Sequence, residues 1–353
     1  MRNLELLDLI KVGISKNASD LHITVGMPPV FRIDGNLQKY GEGKLKPRDT
    51  EKLVKSVLKE EQLQELREKG EIDLSFSSLG VGRFRVNVYK QLGNYGMALR
   101  IIPLTIPTME ELGVPSVVKE LARVPRGLIL VTGPTGSGKS TTLASIIDEI
   151  NRERNCHILT LEDPIEYLHK HNKSIVSQRE IGNDSLNFTN ALRAALRQDP
   201  DVILVGEMRD LETIKIALTA AETGHLVIST LHTLGASKTI DRIIDVFPPH
   251  QQQQIRIQLA SVIQGILSQQ LLQKSDGSGR IAAFEVMVAT PAIRNLIREE
   301  KVHQINTSIQ TGGNCGMETM DNAILHLYNK GVISGEVALN HGYNVELLKR
   351  YIQ

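Results

Sequence analysis

The sequence predicts an α/β protein in which a doubly wound parallel sheet follows a smaller α+β domain. Two observations favour this fold class. From about residue 116 onward, short apolar runs alternate with helical segments, as buried parallel strands and their crossover helices do. The chain has 353 residues, of which 41% are hydrophobic and 23% charged, and this supplies apolar side chains for two separate cores. We therefore expect a globular protein of two domains.

Residues 1–102 are predicted to form the α+β domain. Its elements are predicted to be a leading amphipathic helix, short strands at 21–25 and 30–33, and a charged helical stretch at 47–69. At 82–89, Phe84, Val86 and Val88 alternate with polar residues, so one face of that strand should belong to a core. Prolines at 103, 107 and 115 oppose regular structure and predict a linker at 103–115, followed by the larger domain at 116–353.

Composition excludes several functional classes. The formal net charge of +1 gives no general attraction to nucleic acid or to an anionic membrane. Cys156 and Cys315, the two cysteines, are too few for a disulfide framework or a four-cysteine zinc site. The sequence lacks an apolar run of about 18 residues and a signal-peptide pattern, so we expect a cytoplasmic protein without direct membrane insertion.

The functional residues of the larger domain are expected at the ends of its predicted parallel strands. The apolar runs lie at 128–131, 157–161, 202–205 and 226–230. In open α/β sheets the ligand lies beyond the carboxyl ends of the strands. The polar residues that follow each run are therefore the candidate site residues.

A phosphate-binding loop follows the first run. Its residues match G-x-x-x-x-G-K-[ST] and are Gly133, Pro134, Thr135, Gly136, Ser137, Gly138, Lys139, Ser140 and Thr141. The glycines let the backbone amides approach an anion at the amino terminus of a helix. Lys139 is expected to reach the outer phosphates and Ser140 to bind Mg²⁺. The motif therefore predicts an ATP site that uses Mg²⁺.

The next three runs end in further candidates. Glu162, Asp163 and Glu166 follow the second run, although such a cluster also suits a solvated turn. Glu207 follows the third run, where an acid can hold the metal shell or orient water. His232 and Thr233 follow the fourth run and are candidates for sensing the γ-phosphate, whereas a lone histidine more often has a structural role.

The order of these motifs resembles the secretion ATPase superfamily. Segments 18–22 and 199–210 are similar to its pilus branch, and segment 292–298 is similar to a motif of pilus retraction ATPases. The resemblance implies a RecA-like ATPase domain, a PAS-like amino-terminal domain and a helical region at about 290–353. Considered alone, segment 292–298 is an amphipathic helix with Ala292, Ile293, Leu296 and Ile297 on one face, and Arg294 and Arg298 on another.

The resemblance also implies roles and partners. It implies a homo-hexamer at the cytoplasmic side of the inner membrane, with a PilC-like platform protein and an accessory retraction ATPase as partners. Glu162 is then the general base and Glu207 the acid near Mg²⁺, although the sequence allows these roles to be exchanged. The arginines that would close the site are Arg83, Arg85 and Arg100, and those at subunit contacts are Arg193, Arg197 and Arg242.

Three alternatives remain at this point. Pilus extension and type II secretion ATPases commonly carry a longer amino-terminal region and a four-cysteine zinc loop, whereas the corresponding stretch 273–280 here has no cysteine. A nucleic-acid motor shares the P-loop core, but the aromatic content of 4% and the absence of tryptophan give it little support. A non-catalytic ATP-binding subunit would not need Lys139, Ser140, Glu162 and Glu207 together. Pilus retraction is therefore favoured.

Overall fold

The computed structural model describes residues 5–33, 35–78, 81–102 and 105–352. The chain divides into two compact units, Met1–Thr105 and Ile106–Gln353. The first two residues of the predicted linker, Pro103 and Leu104, lie outside the described residues, so the linker stays a prediction.

In its described residues, the first unit combines three helices with an antiparallel sheet. Its elements are α1 Leu6–Ser15, β1 Asp20–Ile23, β2 Val30–Ile33, β3 Asn36–Lys39, α2 Pro47–Lys55, α3 Glu60–Lys69, β4 Glu71–Ser78, β5 Gly82–Gln91 and β6 Asn94–Ile102. The strand order is β3-β2-β1-β6-β5-β4. The charged stretch 47–69 forms two helices, because the Gln62 side chain accepts a hydrogen bond from the Lys59 backbone N–H at 3.0 Å and so starts α3 afresh.

The alternation predicted for β5 is present. Phe84, Val86 and Val88 are fully buried, and they pack with apolar residues of the helices and neighbouring strands. Arg85, on the opposite face, is exposed. The strand therefore lies with one face on the core of this unit.

The second unit contains the larger sheet. Its helices and strands are α4 Val117–Arg123, β7 Gly127–Thr132, α5 Lys139–Glu153, β8 His157–Glu162, β9 Ile175–Glu180, α6 Phe188–Ala195, β10 Val202–Val205, α7 Leu211–Glu222, β11 Leu226–Leu231, α8 Ala236–Asp245, α9 Pro249–Val262, β12 Ile263–Gln273, β13 Arg280–Val288, α10 Pro291–Arg298, α11 Ile305–Thr311, α12 Met320–Asn329, α13 Gly335–His341 and α14 Val345–Leu348. Short 3₁₀ turns occur at Val302–Gln304 and Gly313–Cys315.

The sheet of this unit has seven strands in the order β13-β12-β7-β11-β10-β8-β9. All pairings are parallel except that of β12 with β13. The four apolar runs of the sequence become β7, β8, β10 and β11, which lie side by side at the centre of the sheet and are almost wholly buried. Their carboxyl ends consequently meet at one edge, and the predicted α/β fold class is confirmed.

Helix α10 differs from the prediction in two details. Ile293 and Ile297 are fully buried and Leu296 is half-buried, but Ala292, predicted on the same apolar face, is exposed. Arg294 does not project as one of a pair with Arg298. Its guanidinium donates to the carbonyl oxygens of Ala260 at 2.7 Å and Ser261 at 2.9 Å, which closes the last turn of α9.

Within the described parts of the chain, none of the helices combines the length and the apolar character that crossing a membrane requires.

Candidate nucleotide-binding site

The glycine-rich loop connects the end of β7 to the start of α5. Gly133 has φ 144°, and a Cβ atom there would lie 2.3 Å from the backbone oxygen of Gln269, so only glycine fits without displacement. Gly138 has φ 87° and is the N-cap of α5. Pro134, Thr135 and Gly136 are exposed at the tip of the loop. The loop and the start of α5 therefore have the backbone arrangement that the motif predicts for binding an anion.

Gln269 on β12 packs against this loop and the start of α5. Its Oε1 atom accepts a hydrogen bond from Thr142 Oγ1 at 2.8 Å, and its side chain is buried. Its Nε2 atom lies 2.9 Å from the position that a Cβ atom on Gly138 would occupy. Gln269 is not among the predicted site residues, because only the sheet order, with β12 beside β7, brings residue 269 close to residues 133–142.

Lys139, His232 and Glu207 form a chain of polar contacts across the ends of β7, β11 and β10. Lys139 Nζ donates to the carbonyl oxygens of Gly133 at 2.8 Å and Pro134 at 2.9 Å, and lies 3.4 Å from His232 Nδ1. His232 Nε2 lies 3.5 Å from Glu207 Oε2. An ammonium can only donate, so Nδ1 must accept and Nε2 carries the proton towards Glu207. His232 thus connects the P-loop lysine to the acid.

Burial and nearby carboxylates affect the pKa of Lys139 at this edge of the sheet in opposite directions. Burial lowers the pKa of Lys139, while the carboxylates of Glu207 and Glu166 act in the opposite direction. Arg209 Nε donates to Glu207 Oε2 at 2.7 Å, and the Glu207 side chain is only 17% exposed. Glu207 is therefore a largely buried acid beside a guanidinium, at the position predicted for the residue near Mg²⁺.

Glu162 ends β8, next to β10, in a different environment. Its Oε1 atom accepts hydrogen bonds from Thr160 Oγ1 at 2.6 Å and Gln178 Nε2 at 3.2 Å. Desolvation by burial raises the pKa of the Glu162 carboxyl above its usual range, although these two hydrogen bonds lower it. Asp163 and Glu166, in the same acidic cluster, are exposed, as a solvated turn would be. A desolvated carboxylate with a raised pKa is a suitable proton acceptor.

The arginines proposed to close the site belong to the first unit. Arg85 lies opposite Arg100 in the sheet, and Arg100 lies opposite Asp20. Arg100 Nε donates to Asp20 Oδ1 at 3.0 Å, while Arg32 Nε lies 3.8 Å from Asp20 Oδ2. Arg83 lies two residues before Arg85 on β5. These residues form a basic row on one sheet, and their action on the phosphates stays a prediction.

The remaining candidates lie on helices and loops of the second unit. Arg193 forms an ion pair with Glu212, and Arg197 donates to the Arg193 carbonyl oxygen at 3.3 Å. Arg242 is exposed on α8. Thr233 Oγ1 lies 2.7 Å from Thr239 Oγ1 at the start of the same helix. The proposed roles of the three arginines at subunit contacts and of Thr233 as a sensor stay predictions.

Comparison with known proteins identifies the family. The family model "Type II/IV secretion system protein" matches residues 5–334. The chain belongs to this family. It is 50% identical over 335 residues to the "Type IV pilus retractation ATPase PilT" of Pseudomonas aeruginosa, an alignment that covers 95% of this chain and 97% of that protein. It is 48% identical to a "Twitching motility protein" of Neisseria gonorrhoeae, with 97% and 91% covered.

A solved structure of a related protein has the same fold as this chain. The structure entitled "Crystal Structure of the Pilus Retraction Motor PilT and Bound ADP" is 52% identical and has a TM-score of 0.93. The match covers 98% of this chain and 99% of that one. The similarity therefore extends across both units.

Proposed function

We propose that this chain is an ATP-hydrolysing motor that powers the retraction of type IV pili. The observation that carries the proposal is the 50% identity, over 95% of the chain, to a relative named as a pilus retraction ATPase. The chain keeps the P-loop and both glutamates that such chemistry needs. It is an ATPase of the secretion family, and the work that it performs is the removal of pilin from the base of the fibre.

Each site residue has a proposed role in the hydrolysis. The P-loop amides and the amino terminus of α5 bind the phosphates of ATP, and Lys139 neutralises the outer phosphates. Glu162 accepts the proton of the attacking water, because its carboxyl is desolvated and its pKa is raised. His232 holds the P-loop lysine and Glu207 in register through its two ring nitrogens.

The residues present suit Mg²⁺. Ser140 in the first turn of α5 and Glu207 at the end of β10 provide hydroxyl and carboxylate oxygens, the ligand type that Mg²⁺ prefers. In the described residues, Ser137 Oγ and Thr132 Oγ1 of the same loop region are buried and have no hydrogen-bond partner. When bound, the ion would neutralise negative charge on the phosphates.

We propose further that six copies form a ring at the cytoplasmic side of the inner membrane. The ring would bind a PilC-like platform protein and cooperate with an accessory retraction ATPase. Arg83, Arg85 and Arg100 are the arginines that we propose to act on the phosphates in this assembly. Light scattering with a non-hydrolysable ATP analogue should report about six subunits, and a strict monomer would contradict the ring.

Lys139→Ala tests the proposed activity. Removal of the ammonium should abolish Mg²⁺-dependent ATP hydrolysis, whereas the matched control Lys173→Ala, an exposed lysine, should keep it. Phosphate release from the purified proteins measures both. Hydrolysis at the normal rate by Lys139→Ala would contradict the assignment of Lys139 to the ATP site.

The same variant tests the direction of the motor in cells. Cells that carry only Lys139→Ala should keep or accumulate surface pili and lose twitching motility, while Lys173→Ala cells should twitch normally. Electron microscopy counts the pili, and colony spreading measures the motility. Cells without any pili would instead assign this ATPase to extension.

A further inference from the structure

Gln178 is a polar residue that the mechanism above does not use. It lies on β9, directly beside Thr160 of β8. Its Nε2 atom donates to Glu162 Oε1 at 3.2 Å and to the Tyr167 carbonyl oxygen at 2.8 Å, and its Oε1 atom accepts from the His169 backbone N–H at 2.8 Å. Both the nitrogen and the oxygen of the Gln178 carboxamide therefore form hydrogen bonds.

These contacts fix the orientation of the amide. A backbone N–H can only donate, so the atom that faces His169 must be the carboxamide oxygen. The NH₂ group must then face Glu162 and the Tyr167 carbonyl, both of which are acceptors. A flipped amide would oppose like groups at every contact. Gln178 thus presents a hydrogen-bond donor to the proposed general base.

The same segment is tied to the P-loop helix. Tyr167 Oη lies 3.0 Å from Thr141 Oγ1, in the first turn of α5. The backbone of residues 167–169 is thereby held at one end by the P-loop helix and at the other by Gln178. A path of hydrogen bonds connects the phosphate-binding turn with the carboxylate of Glu162.

Both side-chain donors bind one oxygen of Glu162. Thr160 Oγ1 at 2.6 Å and Gln178 Nε2 at 3.2 Å approach Oε1 from β8 and β9. Two donors on one oxygen restrict the rotation of the carboxylate. Such support by neighbouring groups is what holds a catalytic carboxylate in a productive geometry.

We propose that Gln178 is a positioning residue for Glu162, which it aims at the attacking water and links through Tyr167 to the P-loop helix. The proposal rests on the proposed function of Glu162 as general base. A glutamine that only filled space between β9 and the 167–169 segment would affect stability but would have no specific connection to Glu162.

The first test removes the hydrogen bonds and keeps the shape. Gln178→Met should lower kcat about tenfold or more and leave KM nearly unchanged, since a small misplacement of a catalytic group costs up to about a hundredfold. Ser177→Ala on the same strand, whose hydroxyl contacts His157 at 3.0 Å, is the matched control and should stay within about twofold of wild type. Normal kcat in a folded Gln178→Met protein would overturn the proposal.

The second test asks whether Gln178 acts through Glu162. In a Glu162→Gln background, Gln178→Met should cause no further loss in single-turnover hydrolysis of labelled ATP, because residues that act as a unit are not additive. An equal further loss would show independent action and would overturn the proposal. Normal turnover by Glu162→Gln alone would instead contradict the base assignment itself, which separates the two failures.

Tyr167→Phe provides a test that does not depend on the folding of the Gln178 variant. It removes only the hydroxyl contact to Thr141, so thermal stability should hardly change. The variant should lower kcat a few-fold, with the loss again absent in the Glu162→Gln background. A Tyr167→Phe enzyme with normal kcat would refute the link to the P-loop helix.

Discussion

Glu162 is the last residue of β8 and Glu207 lies just beyond the neighbouring parallel strand β10, but the surroundings of the two acids differ. The side-chain hydrogen-bond partners of Glu162 are the neutral groups of Thr160 and Gln178. Glu207 contacts the guanidinium of Arg209 at 2.7 Å and His232 at 3.5 Å. Desolvation raises the pKa of the Glu162 carboxyl and makes it more basic, whereas Glu207 lies beside a guanidinium. The difference favours Glu162 as the base and Glu207 as the acid that holds the metal shell.

The largest expected effect follows from replacing Glu162, the proposed base. Glu162→Gln keeps the shape and removes the proton acceptor, so turnover should fall about a hundredfold or more while ATP still binds. Fluorescent nucleotide titration and phosphate release measure the two quantities. Glu166→Gln, an exposed acid of the same cluster, is the control and should have a much smaller effect.

A smaller effect is expected from the other acid. Glu207→Gln should reduce turnover about tenfold to a hundredfold at ordinary Mg²⁺ concentration, because the amide is a weaker ligand than the carboxylate. Binding of ATP without Mg²⁺ should be little changed. Steady-state kinetics at fixed Mg²⁺ gives the first value, and equilibrium titration in EDTA gives the second. A variant with normal turnover would remove Glu207 from the metal shell.

A smaller loss of turnover is expected from replacing His232, which lies between Lys139 and Glu207. His232→Asn should lower turnover about tenfold, since the asparagine amide is too short to contact both Lys139 and Glu207. The exposed His250→Asn is the matched control. If both histidine variants behave like wild type, His232 has only a structural role.

Part of this site was predictable from the sequence. The P-loop motif carries its own spacing, and the four buried runs determined the central strands because apolar runs of that length fit a covered parallel sheet. Gln178 and Gln269 were not predictable. Gln269 lies on β12, far from Thr142 in sequence, and Gln178 lies on β9, the strand that follows β8. The strand pairing that brings these side chains to residues 142 and 162 is a tertiary property.

Helix α10 illustrates the same limit. The period of its apolar residues predicted the buried face at Ile293 and Ile297, but placed Ala292 there as well, and Ala292 is exposed. The arginines one turn apart resembled a pair on the surface. Arg294 instead donates to the carbonyl oxygens that end α9, contacts that only the packing of the two helices creates.

A third buried acid tests whether burial alone produces a catalytic base. Glu285 on β13 accepts a hydrogen bond from the Ala236 backbone N–H at 2.8 Å, and burial raises the pKa of its carboxyl. Since it contacts the start of α8, we expect its role to be structural. Glu285→Gln, which keeps an acceptor for Ala236, should leave turnover within about threefold of wild type. A hundredfold loss would weaken the distinction drawn for Glu162.

The difference in stability between the wild-type protein and this variant should depend on pH. The folded-state pKa of Glu285 lies above the unfolded value of 4.5, so the folded protein loses stability as pH rises from the unfolded pKa through the folded one. Glu285→Gln removes that loss of stability. Each unit of difference between the folded-state and unfolded-state pKa corresponds to about 1.4 kcal/mol of unfolding free energy. Its melting temperature relative to wild type should therefore be higher at pH 8 than at pH 5. Glu299→Gln, an exposed acid paired with Lys301, should show no such trend.

The division of roles between the two glutamates is tested most directly by the Mg²⁺ dependence of hydrolysis in Glu162→Gln and Glu207→Gln, measured side by side. Turnover by Glu207→Gln should recover in large part at high Mg²⁺, because a higher Mg²⁺ concentration restores the occupancy of a site that has lost a ligand. Turnover by Glu162→Gln should stay low at every Mg²⁺ concentration, because a missing base is not restored by metal. Recovery of Glu162→Gln, with Glu207→Gln inactive throughout, would contradict the assignment and exchange the two roles.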